Sequence, residues 1–326
     1  MLNTIELSGE ELAALRLRSL YGEKGYEPYR MSKFEEYDLY VRNKDFLRSN
    51  RIITFTDTNG RLMALKPDVT LSIVKNTRDV RDALLRLYYD ERVYRVATDS
   101  SGFKEIRQTG LECIGNIDAS CISEVLELAA ESLLLTGTET VLNISHLSVL
   151  AGIFEKAGLN AEAREKLTSA ISEKNIHELK AGCREFGVSA ESEAALIKLI
   201  GVYGKPEDVF AELAGSGLFS DGALLDTAAL QELKTVCASL PSELQSIIRI
   251  DFSVTGNVKY YNGIVFEGFA AGVPSAVLSG GQYDGLMRSM GRRDRAIGFA
   301  VYMDLLERLF SSRTARYEIR EAGTEA

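Results

Sequence analysis

The residues best suited to chemistry fall in a few short segments. Lys66-Pro67-Asp68-Val69-Thr70 carries a carboxylate and a hydroxyl two positions apart. Arg95 stands alone, and Gln108-Thr109-Gly110-Leu111-Glu112 places an amide and a carboxylate four apart. Tyr260-Tyr261-Asn262-Gly263-Ile264-Val265-Phe266-Glu267 alternates in character, and Gly280-Gly281-Gln282-Tyr283-Asp284-Gly285-Leu286 precedes Ala296-Ile297-Gly298-Phe299-Ala300. Two carboxylates and an amide suit an ammonium group and a ring N–H, while an arginine suits a carboxylate or a phosphate. Tyrosines offer apolar walls with a polar tip. In a strand, Gln108 and Glu112 share a face, so Asp68, Gln108 and Glu112 can converge on one side of a sheet. Mutual satisfaction of these groups at a sheet edge remains the alternative.

Elements that would position these groups are legible nearby. Ser8 and Glu11 form a capping-box pattern before a helix running past Leu20 to Gly22. Residues 52–55 and 62–65 flank Asn59-Gly60, the signature of a β-hairpin. Strands are predicted at 86–96, 110–115, 141–144, 247–254, 259–269 and 276–278. Helices are predicted from Ser123 through 125–135 and over 299–310. Between 147 and 238 helical periods repeat, punctuated by caps such as Asn160, Asn175 and Ser189. Strands on both sides of a helical block predict an α+β fold with a mainly antiparallel sheet. The domain reading is a core of 1–146 and 239–311, a helical insertion of 147–238, and a polar, frayed tail of 312–326.

Composition narrows the function. Apolar residues make up 45% and charged residues 26% of 326, ordinary globular usage. No apolar run is long enough to span a bilayer, and the first residues lack a signal-peptide pattern. Cys113, Cys121, Cys183 and Cys237 are widely spaced and read as reduced thiols of a cytoplasmic protein. With His146 and His177 the only histidines, no metal site is expected. The net charge of −9 weighs against binding a large RNA, whose phosphates demand a basic surface.

The order of these segments resembles the class II aminoacyl-tRNA synthetases, specifically the histidyl branch, over about residues 10–310. Residues 66–70 match its Arg-Pro-Glu-Gly-Thr-like segment, Tyr94-Arg95-Val96-Ala97 its second motif, and Gln108 to Glu112 its Gln-x-Gly-x-Glu strand. Residues 256–267 match its histidine-recognition motif, and residues 280–286 its Gly-Gly-Arg-Tyr-Asp-Gly-Leu segment. The resemblance implies an antiparallel sheet flanked by helices and a dimer formed through the first motif, here around Pro28. It also implies histidine contacts at Asp68, Thr70, Arg95, Gln108, Glu112, Tyr260 and Tyr261. The departures are selective. The second-motif glutamate is Ala97, the two residues that sandwich adenine are Ile106 and Leu305, and the catalytic arginine is Gly256. Lys259, a point charge three positions on, does not replace that arginine. Asp68 stands for a glutamate, and the expected anticodon-binding domain is missing after 310. A core that keeps histidine contacts but has lost adenylation chemistry resembles the regulatory subunit of short-form ATP phosphoribosyltransferases. That resemblance implies a non-catalytic partner of the short catalytic subunit, with histidine as effector, a homodimer within a larger hetero-oligomer, and neither cofactor nor tRNA. The other reading is a histidine-activating enzyme or a truncated histidyl-tRNA synthetase.

Overall fold

The computed structural model describes residues 4–47, 52–80, 83–96, 102–217, 227–256, 260–310 and 315–318. Strand β1 (Thr4–Leu7) leads into α1 (Gly9–Glu23). Ser8 Oγ accepts from Glu11 N at 3.2 Å and the Glu11 carboxylate accepts from Ser8 N at 2.8 Å. This reciprocal cap satisfies two otherwise orphaned donors. There follow β2 (Glu27–Pro28), β3 (Phe34–Glu36), α2 (Tyr37–Arg42), β4 (Thr54–Thr56), β5 (Leu62–Leu65) and α3 (Thr70–Asn76). The long strands β6 (Leu84–Val96) and β7 (Phe103–Gly115) precede α4 (Ala119–Leu134) and β8 (Thr140–His146). Helices α5 (Leu147–Lys156), α6 (Ala161–Ser172), α7 (Ile176–Glu185) and α8 (Ala190–Gly201) come next. After β9 (Tyr203–Gly204) come α9 (Pro206–Gly215), α10 (Thr227–Ser239) and α11 (Ser242–Gln245). The chain closes with β10 (Ile248–Asp251), β11 (Ile264–Ala270), β12 (Leu278–Gln282), α12 (Asp284–Ser289), β13 (Arg295–Tyr302), α13 (Met303–Phe310) and β14 (Ala315–Glu318).

The fold is α+β. Nine strands form one sheet in the order β2-β6-β7-β13-β12-β11-β8-β10-β9, and β3-β5-β4 form a second. The large sheet is mixed: β2 runs parallel to β6 and β10 parallel to β8, while the other pairs are antiparallel. Covered on both faces, β7 is continuously buried from Gln108 to Gly115, as expected of a sheet with no solvated side. Buried residues of α1, of α4 and of the helices from α5 to α10, among them Leu17, Val125, Ile153, Leu167, Leu196 and Leu233, share one apolar cluster with β7, β8 and β13. A second cluster lies across the sheet, where Val69, Leu71 and Ile73 of the α3 segment meet Tyr89, Tyr260 and Tyr283.

Several expectations shift. Asp118, not Ser123, caps α4, its carboxylate accepting from Cys121 N at 2.9 Å. Residues 299–302, expected in a helix, end β13, because β7 and β12 flank it and satisfy its backbone on both sides. β11 starts at Ile264 rather than 259, after a turn at Gly263 with φ of 89°. The tail is not frayed throughout: Ala315–Glu318 pairs antiparallel with Thr4–Leu7. Ala97 and Lys259 lie outside the described residues. Among those described, no helix is long and apolar enough to cross a membrane.

Candidate functional site

Strand register builds the floor of the site. Gln108, Gly110 and Glu112 alternate onto one face of β7, the first and last about 13 Å apart along the strand. On β13 their partners are Tyr302, Ala300 and Gly298. On β12, Ser279 and Gly281 pair with Ala300 and Gly298, and on β11 Glu267 and Val265 pair with them in turn. Two rows therefore cross the sheet, Glu112–Gly298–Gly281–Val265 and Gly110–Ala300–Ser279–Glu267. The small residues leave a hollow. At Gly298 a Cβ would stand 1.9 Å from the Glu112 carboxylate, so only glycine leaves room for that side chain.

The hollow is a cavity of about 660 Å³, and all seven of the sequence-derived candidates, Asp68, Thr70, Arg95, Gln108, Glu112, Tyr260 and Tyr261, line it. Glu112 is 2% exposed. Thr70 Oγ1 donates to one of its oxygens and the Tyr283 hydroxyl to the other, each at 2.6 Å. Burial pushes the Glu112 carboxyl up to about 8, the two hydroxyl donors oppose that rise, and the nearby Asp68 charge adds to it. Near neutrality Glu112 is therefore mainly protonated, able to donate or, facing a cation, to ionise. Tyr260 stands edge-on to Tyr261 with ring centroids 4.7 Å apart, and tilted to Tyr283 at 5.7 Å. Burial raises the Tyr89, Tyr260 and Tyr283 hydroxyls well above their ordinary range, so these phenols stay neutral.

The segment bearing Asp68 and Thr70 is pinned at both ends. Lys66, fully buried, pairs with Glu91, which also accepts from Met31 N at 3.3 Å. Asp68 accepts from Leu71 N at 2.9 Å in the first turn of α3. At the other end Arg292 donates to the carbonyls of Val74 and Thr77 at 2.9 and 3.0 Å. Arg95 Nε donates to the Pro67 carbonyl at 3.2 Å, which hangs its guanidinium on the approach to α3.

Other expectations are refined. Thr70, implied as a histidine contact, lines the cavity and donates its hydroxyl to Glu112. Gly256 lines the cavity, whereas Ile106 packs in the second apolar cluster and Leu305 against the first. Residues not singled out beforehand also line the wall: Tyr89, Tyr283, Tyr302, Ser279 and Glu267. Tyr283 and Glu267 lay inside segments already marked, and their alternation could have found them. Tyr302 could not be found that way, because its direction depends on the β13 register. Chemically, the cavity offers a carboxylate and an amide for an ammonium group, a tunable buried carboxyl within aromatic walls for a ring N–H, and an arginine for an anion.

Comparison with known proteins places the chain by family and fold. A family model described as histidyl-tRNA synthetase matches residues 5–306. Among curated relatives, the ATP phosphoribosyltransferase regulatory subunit of Clostridium kluyveri is 31% identical over 296 residues, covering 88% of this chain and 74% of that protein. The regulatory subunit of Moorella thermoacetica is 30% identical over 312 residues, covering 92% and 79%. A solved ATP phosphoribosyltransferase regulatory subunit/histidyl-tRNA synthetase from Bacillus halodurans shares the fold, with a TM-score of 0.81 at 24% identity and coverage of 93% and 79%. So does a chain of the ATP phosphoribosyl transferase complex of Thermotoga maritima, with a TM-score of 0.66 at 19% identity and coverage of 90% and 97%.

Proposed function

The chain belongs to the ATP phosphoribosyltransferase regulatory subunits, built on the histidyl-tRNA synthetase core, and from that premise we propose that it activates a short catalytic subunit and relays feedback inhibition by histidine. The observation that carries the effector half of this reading is the convergence of Asp68, Gln108, Glu112 and Tyr261 on one cavity beside Gly256. The α-amino group of histidine is assigned to Asp68 and Gln108, its imidazole to Glu112 among the tyrosines, and its carboxylate to Arg95. Gly256 stands where the synthetases carry a catalytic arginine, so charge developing during adenylation would go unneutralised. The binding half of the site is thus kept and the reacting half is not, as a sensor requires.

In this proposal the helical segment 147–238 is an insertion in the core, the chain works as a homodimer inside a hetero-oligomer with the catalytic subunit, and tRNA plays no part. Inhibition is then a coupling free energy: histidine binds the inactive arrangement of the complex more tightly than the active one. The test is catalytic-subunit activity with and without this chain, measured against histidine concentration. Activation by the chain and inhibition by histidine only in its presence are expected. Equal inhibition of the catalytic subunit alone would move the effector site elsewhere.

A further inference from the structure

Lys174 sits at the turn between α6 and α7, and it is the one non-glycine residue with a positive φ, 52°, among those described. Its amide donates to Ile171 O at 3.0 Å and the next amide to Ala170 O at 2.8 Å, the pattern that closes a helix at a left-handed residue. Glycine is the residue that adopts this conformation without steric cost, as at the helix ends Gly158 and Gly187 of this same segment, with φ of 64° and 67°. A lysine here works against local backbone preference, so its side chain must supply something glycine cannot.

What it supplies is visible. Lys174 Nζ lies 2.9 Å from Asp251 Oδ2 and 5.1 Å from the centre of the Tyr203 ring. Asp251 is 4% exposed, and its other oxygen accepts from Ser253 N at 3.0 Å and Ser253 Oγ at 2.6 Å. Its carbonyl accepts from Val254 N at 3.0 Å. Asp251 therefore shapes the turn that delivers Ser253, Val254, Thr255 and Gly256 to the cavity wall, and Ser172 of α6 lines the same cavity. Two cavity walls distant in sequence meet at one ion pair. The alternative at that carboxylate is a buried, unpaired charge, which is costly.

We propose that Lys174 is a positioning residue of the ligand cavity, holding the 253–256 wall through Asp251 and thereby coupling occupancy of the cavity to the helical segment. The ligand half of this inference rests on the histidine reading above; the wall-positioning half does not. The experiment compares the full chain with Lys174→Gly and Lys174→Arg by amide exchange without ligand, thermal unfolding, and calorimetry with L-histidine. Glycine suits the helix end and offsets part of the cost of leaving Asp251 unpaired, so the unfolding midpoint of Lys174→Gly should fall only slightly. Exchange at the Ser253 and Val254 amides should rise tenfold or more, histidine affinity should drop about fivefold, and Lys174→Arg should restore both. On the unmodified chain, histidine should slow exchange at residues 172–175. Unchanged exchange at Ser253 and Val254 in Lys174→Gly overturns the proposal whatever histidine does. Faster exchange with unchanged histidine affinity overturns the coupling. If the unmodified chain binds no histidine, the effector reading fails, and the exchange data still decide the role of Lys174.

Discussion

Thr70 Oγ1 lies 2.6 Å from Glu112 Oε1, which ties the first turn of α3 to the middle of the nine-stranded sheet. The two residues are 42 positions apart and arrive from different elements, a helix and a strand. With Tyr283 on the second oxygen, the carboxyl group is held from both flanks and cannot swing out of the wall. A site built this way is preorganised: ordering is completed on folding rather than on binding.

Replacing Glu112 with glutamine keeps the shape and removes the ionisable acceptor. Loss of a hydrogen bond to a charged group is worth about 1.5–3 kcal/mol, so histidine affinity should fall tenfold or more. The glutamine carbonyl still accepts from one of Thr70 and Tyr283 and its amide can donate to the other hydroxyl once that hydroxyl turns, so the variant should fold, assemble with the catalytic subunit and activate it, yet resist histidine. Side-by-side inhibition curves check this; if they superimpose, the cavity is not the effector site.

The raised Glu112 carboxyl has a consequence for pH. Between about 4.5, the unfolded value, and about 8, the folded protein keeps a proton that the unfolded chain has released. Stability must therefore decline as pH rises through this window, by up to about 1.4 kcal/mol per pH unit from this group, and level off above it. Urea unfolding of the unmodified chain and Glu112→Gln from pH 5 to 9 tests the sign. The difference between the two should narrow, in favour of the glutamine variant, as pH rises.

Gly298→Ala should damage the site without replacing any of its ionisable residues. The added methyl would lie 1.9 Å from Glu112 Oε2 and 2.4 Å from the Leu111 carbonyl. Backbone cannot yield here, since β13 is paired on both edges. A loss of about 1–3 kcal/mol in urea unfolding is expected from overpacking, together with loss of histidine binding. Gly285→Ala, where a Cβ meets nothing within 4 Å, is the control and should leave both near the unmodified values.

With histidine, ATP and Mg²⁺, the purified chain should show no pyrophosphate exchange above background, because no arginine at Gly256 offsets the charge of the adenylation transition state. Gly256→Arg alone should not restore it: φ is 53° there, and a Cβ would lie 2.9 Å from the Tyr261 ring. Clear exchange by the unmodified chain would favour the enzymatic reading.

The sequence by itself determined the local chemistry and most of the elements. The cap at Ser8 and the hairpin at Asn59-Gly60 are short-range features, set by residues close to one another in the chain. Residue chemistry alone singled out Asp68, Gln108 and Glu112; the full set of seven came from the resemblance, and the structure brings all of them to one cavity. Only tertiary structure decided how they are used. Thr70 serves Glu112 rather than open space because α3 is pinned by Lys66 and Arg292, whose partners Glu91 and Asp79 lie 25 and 213 positions away in the chain. Tyr302 belongs to a strand because β7 and β12 claim its backbone, overriding an apolar run that reads as helix. The Lys174–Asp251 pair spans 77 positions, and no local pattern announces it. Burial is the common reason. The shift of the Glu112 carboxyl and the space at Gly298 are properties of what surrounds a residue, and that is fixed only when sheet register brings distant segments together.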